Sequence, residues 1–342
     1  MRNILITGVC GTIGKTLLLK LLRIKKYNKI IGIDVNEEQL FLLESEFQNN
    51  KKISFKYCDI KDFETLNEVC YGIDLVFHTA ALKHVLFCEE SPNQAINTNI
   101  KGTLNLIKSS INNSVKKVIF TSSDKAVNPT SVMGTSKLMG EKLFTSYNFK
   151  INNKSTIFAS VRFGNVIGSS GSFIPLFYNQ IKSKNYITIT DKNMTRFVMT
   201  VNEAIDLMIQ SANLAKGGEV FVFKMNAVKI SDVADSMIDL YSRDKNIKKK
   251  IIGSRPGEKL YEELISDEEL RRTNETSKFF IIYPPFFKNI SKIKKMKITT
   301  QINSSNSKFI SKAMIKKILK KNSNLFSKNS ILNSAFSPFL KK

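Results

Sequence analysis

The first half of the chain alternates short β-branched apolar runs with longer amphipathic stretches. This alternation is typical of βαβ units whose strands form one parallel sheet. The pattern predicts strands over residues 3–7, 30–34, 53–57, 75–79, 117–121 and 156–163. It also predicts helices over residues 12–23, 37–47, 93–112 and 132–148. We therefore expect an α/β fold with a doubly wound parallel sheet.

The alternation loosens after about residue 168, where only short strands are predicted, at 187–189 and 219–223. With 342 residues, of which 42% are hydrophobic, the chain can bury one large core or two small ones. We expect a nucleotide-binding domain over 1–167 and a smaller α/β substrate-binding part over 168–283, interleaved with the first. Residues 284–342 are rich in Lys, Asn, Ser and Ile, and this composition predicts a weakly ordered basic extension.

The formal net charge of +24 is unevenly distributed, because residues 284–342 hold 14 lysines and no acidic residue. Contact of this extension with nucleic acid or an acidic surface therefore stays open. No apolar run reaches the length of about 18 residues that a membrane helix needs, and no charged-then-apolar leader precedes the first strand. We expect a cytoplasmic protein without a membrane span. Neither a structural metal nor a disulfide framework is expected, because no CxxC pair occurs among Cys10, Cys58, Cys70 and Cys88.

A glycine-rich turn joins the first predicted strand to the first helix, with Gly8, Gly11 and Gly14. Such a turn lets the backbone approach a pyrophosphate, and the helix N–H groups then face the anion. Asp34 ends the second strand 20 residues after Gly14, where a carboxylate can bind the adenosine ribose hydroxyls of a dinucleotide. Asp34 would repel a 2′-phosphate, so NAD is favoured over NADP. The fold is therefore expected to be of the Rossmann type.

Other candidate cofactor contacts follow the remaining strands, since an α/β sheet collects its ligand at the carboxyl ends of its strands. The predicted cofactor-binding residues are Gly8, Gly11, Thr12, Ile13, Gly14, Asp34, Asp59, Ile60, Ala80, Ala81, Lys83, Asn99 and Lys137.

The fifth strand runs into Ser123, Asp124 and Lys125, and the next helix carries Met133 and Lys137. The last two are four residues apart and share one helical face, which can meet the strand end where a nicotinamide would lie. A lysine there can hold the cofactor ribose and lower the pKa of a neighbouring acid.

The Thr7-Gly8-x-x-Gly11-x-x-Gly14 turn and the x-x-x-Lys137 helix resemble the extended short-chain dehydrogenase/reductase family. Over about residues 1–283, the chain further resembles the nucleotide-sugar 4,6-dehydratases of polysaccharide biosynthesis. The closest resemblance is to short soluble UDP-N-acetylglucosamine 4,6-dehydratases of the CapD-like group. The motifs that carry it are Ala80-Ala-Leu-Lys-His84, Ser123-Asp-Lys-Ala-Val-Asn-Pro129, Val132-Met-Gly-Thr-Ser-Lys137, Arg162-Phe-Gly-Asn165, Met194-Thr-Arg-Phe197 and Arg255-Pro-Gly-Glu-Lys-Leu260.

The resemblance implies roles for the residues after the fifth strand. Asp124 would protonate the leaving C6 hydroxyl, Lys125 would take the C5 proton, and Ser123 would bind the sugar hydroxyls. Met133 stands where most of the wider family has a tyrosine base, and a thioether cannot accept that proton. Lys137 is then the candidate for taking the proton of the 4-hydroxyl.

For the UDP group, the resemblance points to cations and amides that can bind a diphosphate. It also implies a homo-oligomer. The predicted substrate-binding residues are Lys83, Ser123, Arg162, Asn165, Arg196, Arg255 and Glu258.

Several alternatives remain at this stage. A dehydratase could retain or invert the configuration at C5. The Arg255-Pro-Gly-Glu-Lys and Asn128-Pro-Thr motifs resemble the configuration-retaining members more closely, although inverting members share much of this pattern. A UDP-sugar 4-epimerase would need no acid/base pair at Asp124 and Lys125. The basic extension allows a different class, an NAD-holding scaffold or RNA-binding protein.

Overall fold

The computed structural model describes residues 2–150, 155–169, 172–242, 247–285 and 302–326. The chain divides into two compact units, each built from three separated stretches. Unit 1 comprises Met1–Phe163, Asn202–Lys224 and Leu264–Gln301. Unit 2 comprises Gly164–Val201, Met225–Glu263 and Ile302–Lys342.

The strands in the described ranges are numbered along the chain. They are β1 Arg2–Thr7, β2 Tyr27–Asp34, β3 Ile53–Tyr57, β4 Leu75–His78, β5 Lys117–Ser123, β6 Ile157–Phe163, β7 Asn165–Val166, β8 Tyr186–Ile189, β9 Thr195–Met199, β10 Val220–Phe223, β11 Asn226–Lys229, β12 Lys248–Ile251, β13 Thr273–Glu275 and β14 Phe279–Ile282.

The α-helices of the same ranges are numbered in the same way. They are α1 Thr12–Ile24, α2 Glu37–Phe47, α3 Phe63–Val69, α4 Val85–Glu90, α5 Pro92–Ala95, α6 Thr103–Asn112, α7 Val132–Tyr147, α8 Phe173–Ser183, α9 Val201–Leu214, α10 Ile230–Tyr241, α11 Asp267–Leu270 and α12 Lys312–Lys321.

Unit 1 is built on a sheet with the strand order β13-β14-β10-β6-β5-β4-β1-β2-β3 among the described residues. The strands from β10 to β3 pair in parallel, whereas β14 is antiparallel to both of its neighbours. The predicted Rossmann-type parallel sheet is confirmed, and so are all six predicted strands of the first half. The two short strands predicted at 187–189 and 219–223 are also present, as β8 and β10.

The helix predicted over 93–112 is not one regular helix. It consists of α5, a wide π-helical turn over Ile96–Gly102, and α6. Within this turn, the buried Asn99 side chain bonds both the N–H and the carbonyl oxygen of Leu82, at 2.8 and 2.9 Å. Hydrophobic spacing could not reveal this interruption, because its cause is a contact with another loop.

The core of unit 1 lies between the sheet and the helices packed on it. Phe120 of β5, Phe144 of α7 and Phe158 of β6 form an aromatic row with ring centroids 5.1 and 5.3 Å apart. Gly140 allows α7 to lie close to β5, because a Cβ there would stand 2.5 Å from the Phe120 ring. The close packing of α7 on β5 fixes the position of the Lys137 side chain one turn earlier.

Unit 2 contains two small sheets in its described part, with the orders β11-β9-β7 and β12-β8. Helices α8, α10 and α12 supply apolar side chains to one core with these strands. Among its buried residues are Ile174, Phe177, Ile187, Val233, Met237, Ile315 and Leu319.

The structure corrects the expectation of a weakly ordered extension over the part that it describes, residues 302–326. Ile315 and Leu319, one helical turn apart on α12, are buried in the core of unit 2. Lys312 and Lys316 lie 2.8 and 2.6 Å from Asp235 and Asp239 of α10. Two of the lysines whose presence predicted a solvated extension thus form ion pairs that help α12 to pack on α10. Residues 286–301 and 327–342 lie outside the described residues.

Within the part of the chain that the structure describes, no helix has both the length and the apolarity needed to cross a membrane.

Candidate active site

The glycine-rich turn after β1 can exist only with glycine at two of its positions. Gly8 has a φ of +70°, and a Cβ there would lie 2.7 Å from the Ala80 backbone nitrogen. A Cβ at Gly14 would lie 2.2 Å from the Gly8 carbonyl oxygen. Gly11 precedes α1 and provides no side chain to cap its first turn, which holds the predicted cofactor residues Thr12 and Ile13. This open helix start is a suitable site for a pyrophosphate.

The Asp34 carboxylate at the end of β2 is held by three backbone N–H groups. Oδ2 accepts from Cys10 at 2.9 Å, and Oδ1 accepts from Val35 and Asn36 at 2.8 and 3.1 Å. The Cys10 thiol is a further, weak donor to this carboxylate, so a ribose hydroxyl can take its place and bind Asp34. The bond to Cys10 ties the carboxylate to the glycine-rich turn. The residues present therefore fit a dinucleotide with an unmodified ribose.

Asp59 and Ile60, predicted to contact the cofactor, have partners within their own unit. Asp59 accepts from the Lys61 backbone at 2.9 Å and lies 3.1 Å from its ammonium group. Ile60 is buried against the π-helical turn, where a Cβ on Gly102 would lie 2.7 Å from it. Ile60 thus supports the turn that carries Asn99.

A buried chain of hydrogen bonds joins the ends of β1 and β4. Thr7 Oγ1 lies 2.7 Å from His78 Nδ1, and His78 Nε2 lies 3.1 Å from Thr103 Oγ1. Thr103 donates its proton to the Asn99 carbonyl at 2.6 Å, so it must accept from His78 Nε2. Burial lowers the pKa of His78 to about 3. The imidazole is therefore neutral, and its two hydrogen bonds have a structural role.

Two further predicted cofactor residues, Asn99 and Ala80, form hydrogen bonds with this buried network. Asn99 donates to Ser136 of α7 at 2.9 Å and also bonds both backbone groups of Leu82. The Ala80 N–H donates to Thr7 Oγ1 at 3.2 Å. Asn99 thereby connects the loop after β4, which includes Ala81 and the exposed Lys83, to the helix that carries Lys137.

Ser123, Asp124 and Lys125 meet at the carboxyl end of β5. Asp124 is fully buried, and its Oδ1 accepts from Ser123 Oγ at 2.9 Å and from Lys125 Nζ at 3.0 Å. The side chain of Lys125 keeps 24% of its surface exposed. The carboxyl group is thus dry and shares a hydrogen bond with an amine that a ligand can reach. Such a pair can exchange a proton directly.

Met133 and Lys137 lie on one face of α7, as predicted. The Met133 side chain packs in a small apolar cluster with Cys88 and Ala95. Lys137 is buried, donates to the Thr121 carbonyl at 2.9 Å, and lies 4.9 Å from the Phe120 ring centroid. Burial lowers the pKa of Lys137 to about 8, whereas the charge of Glu141 opposes this shift. The amine can therefore exchange protons near neutral pH.

The structure contradicts the prediction that Arg162 binds the diphosphate. Its guanidinium is fully buried, and all five of its N–H donors have partners within unit 1. It bonds Glu141 at 2.8 and 2.7 Å and Glu269 at 2.8 and 2.6 Å, and donates to the Leu264 carbonyl at 3.1 Å. Two flanking carboxylates offset its burial, so Arg162 is a core residue of unit 1.

The remaining predicted substrate residues, Asn165, Arg196, Arg255 and Glu258, belong to unit 2. Arg196 is buried, and its Nη2 and Nε lie 3.8 and 3.6 Å from carboxylate oxygens of Glu258 and Glu262. Arg255 is exposed and begins a turn in which its N–H donates to Glu258 Oε2 at 3.4 Å. Unit 2 thus brings Arg196 and Glu258 into contact and places Arg255 beside them.

The family model described as "Polysaccharide biosynthesis protein" matches residues 4–284. The chain belongs to the polysaccharide biosynthesis protein family. Its relatives include an uncharacterized membrane protein of Methanocaldococcus jannaschii, 44% identical over 93% of this chain and 95% of that protein. They also include the UDP-glucose 4-epimerase of Rickettsia felis, 34% identical with the same two coverages.

Solved structures share the fold. Pen from Bacillus thuringiensis has a TM-score of 0.89 at 42% identity, covering 95% of this chain and 98% of that one. A UDP-N-acetylglucosamine 4-epimerase from Methanobrevibacter ruminantium has a TM-score of 0.64 at 25% identity, covering 75% and 87%. A dTDP-glucose 4,6-dehydratase from Streptomyces venezuelae, with NAD bound, has 0.68 at 20%, covering 75% and 86%. This family member is thus an enzyme of the nucleotide-sugar dehydratase and epimerase superfamily with the short-chain dehydrogenase/reductase fold.

Three residues of this family member were missed by the sequence analysis. Gly134 lets α7 approach the loop after β5, because a Cβ there would lie 2.3 Å from the Lys125 carbonyl oxygen. Glu141 lies one helical turn after Lys137, and this four-residue spacing could have indicated their interaction. Ser304, which lies beyond the residues matched by the family model, is fully buried in unit 2, and no signal in the sequence distinguishes it.

Proposed function

We propose that the chain is a UDP-N-acetylglucosamine 4,6-dehydratase that forms a UDP-4-keto-6-deoxy-N-acetylhexosamine for surface polysaccharide or glycan biosynthesis. The observation that carries this proposal is the contact between the buried Asp124 carboxyl group and the Lys125 amine, 3.0 Å apart. Removal of a C5 proton together with a C6 hydroxyl needs one base and one acid close together. A 4-epimerase has no use for such a pair.

The cofactor is NAD, whose pyrophosphate fits the start of α1 and whose adenosine ribose fits the Asp34 carboxylate. When bound, NAD would supply the hydride chemistry at C4 and C6 and would be regenerated within one turnover, so that no external oxidant would be consumed.

The first step needs a base for the 4-hydroxyl proton. Met133 cannot accept a proton, whereas the Lys137 amine has a pKa of about 8 and is held by the Thr121 carbonyl. Lys137 takes this proton, directly or through a water molecule. The 4-keto group that results acidifies the C5 hydrogen.

The elimination then uses Lys125 as the base and Asp124 as the acid. Lys125 takes the C5 proton, the C5–H electron pair forms the C5–C6 double bond, and the C6 hydroxyl leaves with the Asp124 proton as water. When C6 is reduced, the Lys125 ammonium group returns one of its three equivalent protons to C5, and in deuterated water the other two are deuterons from the solvent. The proton released from the 4-hydroxyl replaces the one lost by Asp124, so the protons balance.

The product tests this proposal directly. With UDP-N-acetylglucosamine, we expect a product lighter by one water, and NMR in deuterated water should show solvent deuterium at C5 with the original configuration. Asp124→Asn and Lys125→Met should each slow water loss by about a hundredfold or more, because each removes one member of the acid/base pair. A product without C5 deuterium, or undiminished water loss in both variants, would contradict the proposal. An inverted C5 would contradict only the retention.

A second candidate function is a UDP-sugar 4-epimerase. It is favoured by Rickettsia relatives called UDP-glucose 4-epimerase, which are 34 to 35% identical to this chain. An epimerase product has the mass of the substrate, so mass spectrometry of the same reaction separates the two. Epimerisation should also survive replacement of Lys125.

A further inference from the structure

The segment 302–326 lies beyond the residues matched by the family model, yet it forms part of unit 2. It begins with a turn in which Asn303 Oδ1 accepts from the backbone N–H groups of Ser305 and Asn306, both at 3.0 Å. Asn303 also pairs with Glu263 in an isolated bridge. This turn holds the fully buried Ser304 against the chain before Leu264.

Ser304 bonds two separate stretches of unit 2. Its backbone N–H donates to the Glu262 carbonyl at 2.8 Å, and its Oγ accepts from the Glu262 N–H at 3.0 Å. The same Oγ lies 2.8 Å from Thr195 Oγ1 at the start of β9. One serine thus ties the backbone at Glu262 to the strand that carries Arg196.

The two residues that Ser304 holds are also in contact with Arg196. Arg196 Nη1 donates to the Thr195 carbonyl at 2.7 Å, and Nε lies 3.6 Å from Glu262 Oε1. Nη1 also lies 3.3 Å from the Leu260 carbonyl, which accepts the Thr195 N–H at 3.0 Å. These contacts determine the orientation of the Arg196 guanidinium group.

The rest of the segment keeps the Asn303 turn in place. Ile310 donates to the Ala227 carbonyl of β11 at 3.1 Å, and α12 is docked by its buried Ile315 and Leu319. The ion pair between Lys316 and Asp239, at 2.6 Å, joins α12 to α10. The position of Ser304 is therefore fixed by the Asn303 turn on its N-terminal side and by the docking of Ile310 and α12 on its C-terminal side.

We propose that Ser304 is a positioning residue for Arg196, and that segment 302–326 completes the part of unit 2 that binds the diphosphate of a nucleotide sugar. This rests on the proposed function, together with the sequence-based prediction that Arg196 binds that diphosphate. A guanidinium binds a phosphate bidentately only when its plane is correctly oriented. Without the Ser304 hydroxyl, Glu262 N–H and Thr195 Oγ1 lose this buried partner, and the groups around Arg196 shift.

The first test compares ligands that do and do not contain phosphate, with full-length protein and saturating NAD. Ser304→Ala should raise the Kd of UDP in calorimetry by about tenfold, the effect of losing one to two buried hydrogen bonds. The Kd of uridine should not change. For the sugar nucleotide, KM should rise while kcat stays the same. Ser305→Ala is the matched control, because exposed Ser305 touches neither Thr195 nor Glu262 in the described contacts.

The second test asks whether Ser304 acts through Arg196. Arg196→Lys keeps the positive charge between the glutamates but removes the planar fork, and it should weaken UDP binding. In that background, Ser304→Ala should cause little further loss. A full, additive loss, or an equal loss of uridine binding, would overturn the inference in favour of a general loosening of unit 2.

If Ser304→Ala does not fold, the same contact can be broken from its other side. Thr195→Val should reproduce the selective loss of UDP binding, and Thr195→Ser should restore it. No change in UDP binding on Ser304→Ala, while Arg196→Lys weakens it, would overturn this inference alone. No effect of Arg196→Lys would instead contradict the prediction that Arg196 binds the diphosphate.

Discussion

His78 and Lys137 are both buried near the candidate site, but their surroundings favour different protonation states. His78 stays neutral, because burial lowers its pKa to about 3 and both ring nitrogens face threonine hydroxyls. Lys137 is different, since its pKa of about 8 leaves it close to half-protonated in mildly alkaline solution. The nearest opposing charge on its own helix is Glu141, which also binds Arg162.

The charge of Glu141 predicts a shift in the pH profile. Under the proposed function, Lys137 must be neutral to take the 4-hydroxyl proton, so C4 oxidation should become faster as the pH rises through about 8. Glu141→Gln removes a negative charge that raises the pKa of Lys137, so this rise should move to lower pH, by about half a unit or more. The measurement is the single-turnover rate of NADH formation against pH.

The matched control is Glu269→Gln, which removes the other carboxylate bound to Arg162 but leaves Glu141 in place. Its pH profile should shift less. An equal shift in the two variants, or a shift of Glu141→Gln to higher pH, would show that Glu141 does not control the charge of Lys137.

Helix α7 contributes to the site through glycines as well as through Lys137. Ser131 caps its start by accepting the Gly134 N–H at 3.1 Å, and Gly134 and Gly140 lie against Lys125 and Phe120. Alanine is favoured over glycine in a helix by about 1 kcal/mol, so these glycines are explained by close packing. The distance between α7 and the loop after β5 therefore depends on them.

Gly134→Ala should separate the two chemical steps. The new Cβ displaces the Lys125 backbone, so water elimination should slow by about tenfold to a hundredfold, whereas NADH formation should change less. Rapid-quench measurement of both steps checks this. Met139→Ala, at an exposed position of the same helix, should leave both rates unchanged. Equal slowing of the two steps in Gly134→Ala would indicate a general distortion of the helix.

The strands were predictable because each apolar run is longer than the uncertainty in where a predicted strand begins and ends. All six predicted strands of the parallel sheet are present. The break at Asn99 was not, because it depends on a bond to the Leu82 loop. Arg162 was misassigned for a similar reason. Its motif suggested a diphosphate ligand, but Glu269, which occupies two of its nitrogens, is 107 residues away in the sequence.

At the scale of the whole molecule, the two units are interleaved along the chain, and the last described segment returns to unit 2. Five predicted site residues, one in β6 and four after it, are affected by this arrangement. Arg162 belongs to the core of unit 1, whereas Asn165, Arg196, Arg255 and Glu258 belong to unit 2. The stability of unit 2 should therefore depend on residues beyond the family match.

Leu319→Ala tests this dependence. Leu319 is buried in the core of unit 2, so its truncation should reduce the free energy of unfolding by about 2–5 kcal/mol. Met314→Ala, on an exposed position of the same helix, should change it by no more than about 0.5 kcal/mol. Urea unfolding followed by circular dichroism provides both values. Equal effects of the two substitutions would mean that α12 is not part of the folded core.

The sequence by itself determined the parallel sheet, the glycine-rich turn with Asp34, and the neighbouring pair Asp124 and Lys125. These features depend on residues that are close in the chain or on a regular period, so local chemistry is enough to predict them. Tertiary structure decided the partners of Arg162, the support of Arg196 by Ser304, and the docking of α12. These depend on contacts between distant residues, and a buried charge or hydroxyl acquires its role from the partners that folding brings to it.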